Sequence, residues 1–75
     1  TVHGGGQDDF IYGGEDDDTI FGDAGSDLIE GGAGDDQLSG DLGRDLIYGG
    51  LGADTISGGS ERDRVFGGSG DDEIY

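Results

Sequence analysis

The aliphatic residues Ile11, Ile20, Ile29, Leu38, Ile47, Ile56, Val65 and Ile74 recur every nine positions along the chain. Each sits at the centre of a triplet such as Phe10-Ile11-Tyr12, Leu46-Ile47-Tyr48 or Arg64-Val65-Phe66. Between triplets run six residues of glycine, aspartate and other small or polar types, beginning with Gly4-Gly5-Gly6-Gln7-Asp8-Asp9. Triplets rich in β-branched and aromatic residues predict very short strands. The glycine-rich hexapeptides predict turns whose backbone visits positive φ. A helix is a poor alternative, because such a turn would interrupt it every nine residues.

Counted from Gly4, the chain divides into eight blocks of nine with no insertion or deletion, ending at Tyr75. The first position is always glycine: Gly4, Gly13, Gly22, Gly31, Gly40, Gly49, Gly58 and Gly67. The sixth is always aspartate: Asp9, Asp18, Asp27, Asp36, Asp45, Asp54, Asp63 and Asp72. A short period held this strictly is the signature of a solenoid. Turn and strand in alternation predict an all-β coil in which two blocks complete one superhelical turn and alternate strands stack in parallel at roughly 4.8 Å, giving two facing sheets. Blocks starting at Gly4, Gly22, Gly40 and Gly58 fall on one side, and those starting at Gly13, Gly31, Gly49 and Gly67 on the other. Side chains alternate across a strand, so the eighth position points inward and its neighbours outward. The expected interior is a thin seam of Val2 and the eight aliphatic residues, too little to hold the fold alone.

Composition sharpens that point. The chain has 75 residues, of which 20 are glycine and only 29% hydrophobic, and it lacks cysteine, proline, methionine and tryptophan. Scattered glycines in this number would read as disorder, but these are periodic. One domain is the most that this length allows: residues 4–75 form the eight-repeat unit, and residues 1–3 fit the end of a preceding repeat. The sequence starts in mid-pattern and stops on a block boundary, so a piece of something longer is expected. No disulfide framework or thiolate metal site is available, and no stretch is apolar for long enough to span a membrane or serve as a signal peptide.

The net charge is −16, with Arg44, Arg62 and Arg64 the only cations among Lys and Arg. That excludes attraction to nucleic acid or to an anionic membrane surface. Stacking in register places Asp9, Asp27, Asp45 and Asp63 in one row and Asp18, Asp36, Asp54 and Asp72 in another. Carboxylates at strand spacing repel one another, so the coil is expected to need a counter-charge at neutral pH. Calcium suits the donors, since it takes six to eight oxygens in tolerant geometry and accepts backbone carbonyls. Magnesium demands stricter octahedral geometry and keeps its water, and nothing here offers a soft or imidazole set for zinc or copper.

The blocks match Gly-Gly-x-Gly-x-Asp-x-U-x, where U is a large aliphatic, and in this the chain resembles the repeats-in-toxin (RTX) family. The resemblance covers residues 4–75 in eight tandem copies. It implies a parallel β-roll, a right-handed β-solenoid whose first six residues per block form a calcium-binding turn and whose last three form a strand. It further implies that calcium lies between turns two repeats apart, on the eight sixth-position aspartates and on turn-glycine carbonyls. Among first-position glycines these are Gly4, Gly13, Gly22, Gly31, Gly40, Gly49, Gly58 and Gly67. Within the three unbroken consensus turns they extend to Gly32, Gly34, Gly50, Gly52, Gly68 and Gly70. Four turns per side leave three gaps, so about six internal ions are expected. These would reduce the charge to roughly −4.

Departures from the consensus are unevenly placed. Three of the four turns in the Gly13, Gly31, Gly49 and Gly67 set are perfect, and only Asp16 departs, in a glycine column. The other set has Gln7 and Glu61 at the fourth position and Asp23 and Asp41 at the second. The tightest ions are therefore expected between the Asp36, Asp54 and Asp72 turns. Outward residues are also unequal: Phe10, Tyr12, Leu28, Leu46, Tyr48 and Phe66 make one sheet apolar on its exposed face. Such a patch predicts packing on another domain or a second copy.

Other signals have plainer readings. His3 is a lone terminal histidine with no expected metal or catalytic role, and no Ser/His/Asp set can be built on it. In pairs such as Asp8-Asp9, Asp35-Asp36 and Asp71-Asp72, the fifth-position member is expected to be solvated and the sixth a ligand. A phosphate loop is excluded by the acidic turns and the lack of lysine, and an EF-hand by loop spacing and the absence of flanking helices. The segment reads as a calcium-binding module rather than an enzyme, disordered without calcium and folding on binding it. Family resemblance implies a bacterial protein exported by type I secretion. The alternatives are an adhesive or carbohydrate-binding module using Tyr12, Tyr48 and Phe66, or the C-terminal part of a secreted protease, lipase or epimerase.

Overall fold

Every apolar triplet forms a strand, and every strand is only two or three residues long. The computed structural model describes all of residues 1–75 and contains β1 (Val2–His3), β2 (Phe10–Tyr12), β3 (Thr19–Phe21), β4 (Leu28–Glu30), β5 (Gln37–Ser39), β6 (Leu46–Tyr48), β7 (Thr55–Ser57), β8 (Arg64–Phe66) and β9 (Glu73–Ile74). There is no helix. Odd-numbered strands form a five-stranded sheet in the order β1-β3-β5-β7-β9, and even-numbered strands a four-stranded sheet in the order β2-β4-β6-β8. All pairing is parallel and offset by 18 residues, as in Ile20↔Leu38 and Ile29↔Ile47. Two nonapeptides therefore complete one turn of a β-solenoid with dimensions of 28 × 20 × 13 Å.

Pairing does not stop at the strand ends. The N–H of Leu28 donates to Asp9 O at 2.8 Å, and that of Gly31 to Tyr48 O at 2.8 Å, so the ladder runs from the sixth position of one block to the first of the next. Within the turns, Ala33 N–H donates to Gly14 O and Leu51 N–H to Gly32 O, both at 3.0 Å. A residue in a turn therefore meets its counterpart 18 positions away.

The core is the predicted seam, but shorter. Ile11, Ile20, Ile29, Leu38, Ile47 and Ile56 are buried, and Val65 is half-buried against them. Val2 and Ile74, expected inside, are 39% and 53% exposed. Each lies in the outermost coil, where no further turn covers it. In a solenoid each layer is sealed only by its neighbours, so six aliphatic side chains carry the interior.

Outer faces differ as expected. The four-stranded sheet presents Phe10, Tyr12, Tyr48 and Phe66 to solvent, and Tyr48 stacks on Phe66 with ring centroids 5.2 Å apart. Register places Glu30 between Tyr12 and Tyr48, so the aromatic row is interrupted. The five-stranded sheet presents Thr19, Gln37, Thr55 and Glu73 in one row. His3 stacks on Phe21 at its edge, and His3 Nδ1 lies 3.4 Å from Asp23 Oδ2.

Candidate metal centres in the stacked turns

The sixth-position aspartates are the most buried polar residues of the chain, with Asp27, Asp36, Asp45 and Asp54 only 1–3% exposed. Burial follows from their place between the turn and the strand, where the coils above and below close over them. One carboxylate oxygen of each is spoken for. Asp36 Oδ1 accepts the N–H of Asp18 at 2.8 Å, and Asp54 Oδ1 accepts that of Asp36 at 2.9 Å. The same bond joins Asp27 to Asp9, Asp45 to Asp27, Asp63 to Asp45 and Asp72 to Asp54. Each aspartate thus reaches back one coil and holds the backbone of its counterpart.

The second oxygen has no partner. Oδ2 of Asp9, Asp18, Asp27, Asp36, Asp45 and Asp54 is buried and makes no hydrogen bond. A buried carboxylate oxygen without a partner is costly, and here it repeats six times. The first-position glycine faces the same point. A Cβ placed on Gly31 would lie 2.7 Å from Asp36 Oδ2 and 2.8 Å from the carbonyl oxygen of Gly49 in the next coil. The arrangement recurs for Gly4 with Asp9 and Gly22 O, Gly13 with Asp18 and Gly31 O, and Gly22 with Asp27 and Gly40 O. It recurs again for Gly40 with Asp45 and Gly58 O, and for Gly49 with Asp54 and Gly67 O. Those carbonyls accept no hydrogen bond within the protein. At Gly58 and Gly67 only the aspartate half remains, Asp63 and Asp72 respectively, because no coil follows.

Buried carboxylate oxygens meeting free carbonyls form an anionic, all-oxygen environment. It matches a hard cation with high coordination number and excludes an anion. No three acidic or histidine side chains converge on one point, so any such site draws most of its oxygens from the backbone. Burial pushes the carboxyls of Asp45 and Asp54 up to about 6, with neighbouring carboxylates adding to the effect: Asp63, Asp27 and Asp41 around Asp45, and Asp36 and Asp72 around Asp54. Asp27 and Asp36 are pushed upward for the same first reason. A carboxylate that resists ionisation for want of a counter-charge is one that a cation would stabilise.

Turn shape depends on left-handed residues at the second and fourth positions. Gly34 has φ of +105°, and a Cβ there would strike the carbonyl of Asp16 in the coil below. Asp16, Asp23, Asp41 and Glu61 adopt the same region with φ between 65° and 72°, despite carrying side chains. Gln7 does not, alone among the fourth-position residues. Of the remaining candidate glycines, Gly32, Gly50, Gly52, Gly68 and Gly70 all hold positive φ in the same stacks. The carbonyl of Gly32 is committed to the Leu51 N–H, whereas that of Gly34 accepts no bond.

Sequence reasoning missed one set of residues. Three of the four fifth-position aspartates, expected to be merely solvated, are exposed yet bridge coils, while Asp71 makes no such bond. Asp8 Oδ1 accepts the N–H of Ser26, Asp17 Oδ1 that of Asp35, and Asp35 Oδ1 that of Ala53, at 2.8–2.9 Å. They reach forward one coil where the sixth-position aspartates reach back. The signal that was available is the recurrence of aspartate at this position in four blocks, which a purely solvated site does not require.

The chain is thus a parallel β-solenoid with an acidic, carbonyl-rich seam along each edge. Family comparison makes it specific: the model of the RTX calcium-binding nonapeptide repeat matches in four copies, at residues 1–29, 12–47, 21–56 and 48–75. The chain belongs to the RTX calcium-binding repeat family. Neither the curated proteins nor the solved structures include a significant match to it.

Proposed function

We propose that the chain is one calcium-dependent folding domain, and that it binds about six calcium ions between its coils. The observation that carries this reading is the set of six buried, unpartnered Oδ2 atoms on Asp9, Asp18, Asp27, Asp36, Asp45 and Asp54. Each lies beside a free glycine carbonyl from the next coil, and the count equals three gaps on each edge. Asp63 and Asp72 then act at the ends, where they hold the backbone of Asp45 and Asp54. When bound, calcium supplies the positive charge that the stacked carboxylates lack. The residues do the rest: Oδ1 fixes the preceding coil, Oδ2 stays free, and the first-position glycine leaves room between them.

Because such sites exist only in the coil, binding energy is folding energy. A core of six aliphatic residues and a charge of −16 support an unfolded chain in the absence of calcium. The family's usual setting supports export from a bacterium, with the chain unfolded at low cytosolic calcium and folding at the higher calcium outside. In this reading the segment supplies no catalysis.

The test is far-UV circular dichroism against calcium concentration, with magnesium as control. A cooperative gain of β signal below about 10 mM calcium, the upper range of extracellular modules, is expected. A spectrum that does not change over that range, or an equal response to magnesium, overturns the reading.

A further inference from the structure

The outer face of the four-stranded sheet has a polarity along the coil that the repeat does not require. Register aligns three columns on it. The fifth-position column, just before the strands, runs Asp8, Ser26, Arg44, Arg62. The seventh runs Phe10, Leu28, Leu46, Arg64, and the ninth Tyr12, Glu30, Tyr48, Phe66. The first two columns border an open groove of about 750 Å³. All three arginines of the chain lie along it, gathered in its last two coils, while Asp8 stands at its opposite end.

Those arginines are unused within the molecule. They are exposed, and none of them lies within salt-bridge distance of a carboxylate. In a protein with 19 carboxylates, three guanidinium groups on one face without a partner mark a surface that awaits one.

We propose that two copies of the chain pair face to face through this sheet, related by a two-fold axis parallel to the strands. That axis reverses strand order and keeps each column over itself, so β2 lies over the partner's β8 and β4 over the partner's β6. Five of the six oppositions then become complementary, and the sixth sets Ser26 against the partner's Arg44, a hydroxyl that can accept from the guanidinium. Asp8 meets the partner's Arg62, an ion pair. Phe10 meets the partner's Arg64, a cation and an aromatic face. Leu28 meets the partner's Leu46, and Tyr12 meets the partner's Phe66. Glu30 meets the partner's Tyr48, whose hydroxyl can donate to the carboxylate. Symmetry makes each contact occur twice. A two-fold along the coil axis instead lays the seventh column on the ninth: Arg64 still meets the partner's Phe66, but Leu28 is set against the partner's Glu30, and Asp8, Arg44 and Arg62 turn towards glycines of the next turn without a partner of opposite charge.

The whole molecule measures 28 × 20 × 13 Å. Even complete coverage of its broadest face buries at most on the order of 1,000 Å² in total, at the low end of specific interfaces, and a dissociation constant of about 10 μM or weaker is expected. A charge of −16 on each copy opposes association, so pairing belongs to the cation-loaded coil, and in this it rests on the calcium reading above.

The test is sedimentation equilibrium in saturating calcium from about 10 μM to 1 mM protein, with circular dichroism on the same samples. The parent is expected to reach dimer mass. Arg62→Asp and Asp8→Arg each place like charges opposite one another twice, and each is expected to weaken the dimer tenfold or more. Arginine already occupies the fifth position at Arg44 and Arg62; Asp8→Arg also removes the acceptor of the Ser26 N–H, so circular dichroism must show the coil intact for its loss of dimer to count. An equimolar mixture of the two variants restores both ion pairs in a heterodimer and is expected to regain the parent's mass. A parent that remains monomeric at 1 mM while its spectrum reports the coil overturns the pairing alone. So does a dimer that both variants leave intact, or a mixture that stays monomeric. A calcium titration without any spectral change overturns the calcium reading and the pairing with it.

Discussion

The two edges of the solenoid carry the same aspartate device on turns of different quality. Along the edge formed by the turns at Gly13, Gly31, Gly49 and Gly67, one residue with a side chain, Asp16, holds a left-handed conformation. Along the other edge three do, Asp23, Asp41 and Glu61, and Gln7 leaves the left-handed region. Left-handed backbone costs a residue with a Cβ about 1 kcal/mol. Yet Asp27 and Asp45 on the irregular edge are as buried as Asp36 and Asp54 on the regular one, and their Oδ1 bonds are as short. The repeat tolerates strain in the glycine columns but not displacement of the sixth-position carboxylate. Positions that shape the turn are adjustable, and the position that faces the next coil is not.

Removing the cation should abolish the difference between the edges. Excess chelator at neutral pH is expected to unfold the whole chain, read as loss of β signal and collapse of amide dispersion by NMR. Persistence of one edge's resonances would show that edge to be held by its own packing.

Acidification in chelator should partly reverse that loss. Asp45 and Asp54 keep their protons up to about 6 in the coil and release them near 3.8 when unfolded. The metal-free coil therefore binds more protons than the unfolded chain between those values. This contribution to stability is fully present below about pH 4 and is lost as pH rises through 6. More β signal at pH 4 than at pH 7 without calcium is the expected outcome, and less would contradict it.

Single-site variants separate the edges. Asp54→Ala removes a buried, unpartnered carboxylate oxygen on the regular edge and the acceptor of the Asp36 N–H. It is expected to raise the calcium midpoint tenfold or more, and Asp45→Ala on the irregular edge by less. Equal shifts would show that turn strain is not transmitted to the carboxylates. Gly52→Ala, where φ is +101° and a Cβ meets Gly34 O, should destabilise the calcium-loaded coil by about 2 kcal/mol or more in urea denaturation.

Smaller effects should have the opposite sign. Glu61→Gly, at φ of 71°, relieves a left-handed side chain and is expected to stabilise the loaded coil by up to about 1 kcal/mol. Thermal denaturation at fixed calcium checks it. A loss would assign the Glu61 side chain a contact of its own.

Most of the architecture was legible in the period of nine. First-position glycine, sixth-position aspartate and eighth-position aliphatic together prescribe turn, inter-coil contact and seam, because each column meets only itself 18 residues on. The ends were harder to read, since Val2 and Ile74 obey the pattern and are still exposed. A column gives the direction in which a side chain points and says nothing of whether a neighbouring layer is there to cover it. The fifth-position bridges escaped for a related reason. Asp8 and Asp9 are adjacent in sequence and alike in chemistry, and only the stacking shows one reaching forward and the other back.

Sequence alone thus determined the repeat, the strand and turn assignment, the two parallel sheets and the identity of the carboxylates, because local residue types under strict periodicity leave one way to stack. Tertiary structure alone decided which oxygen of each aspartate is bonded and which is left free, and which carbonyl comes to face it. It also decided that three arginines from two coils share a groove with Asp8. Those outcomes depend on distances between coils, and a distance between coils arises only once one turn has settled on the next.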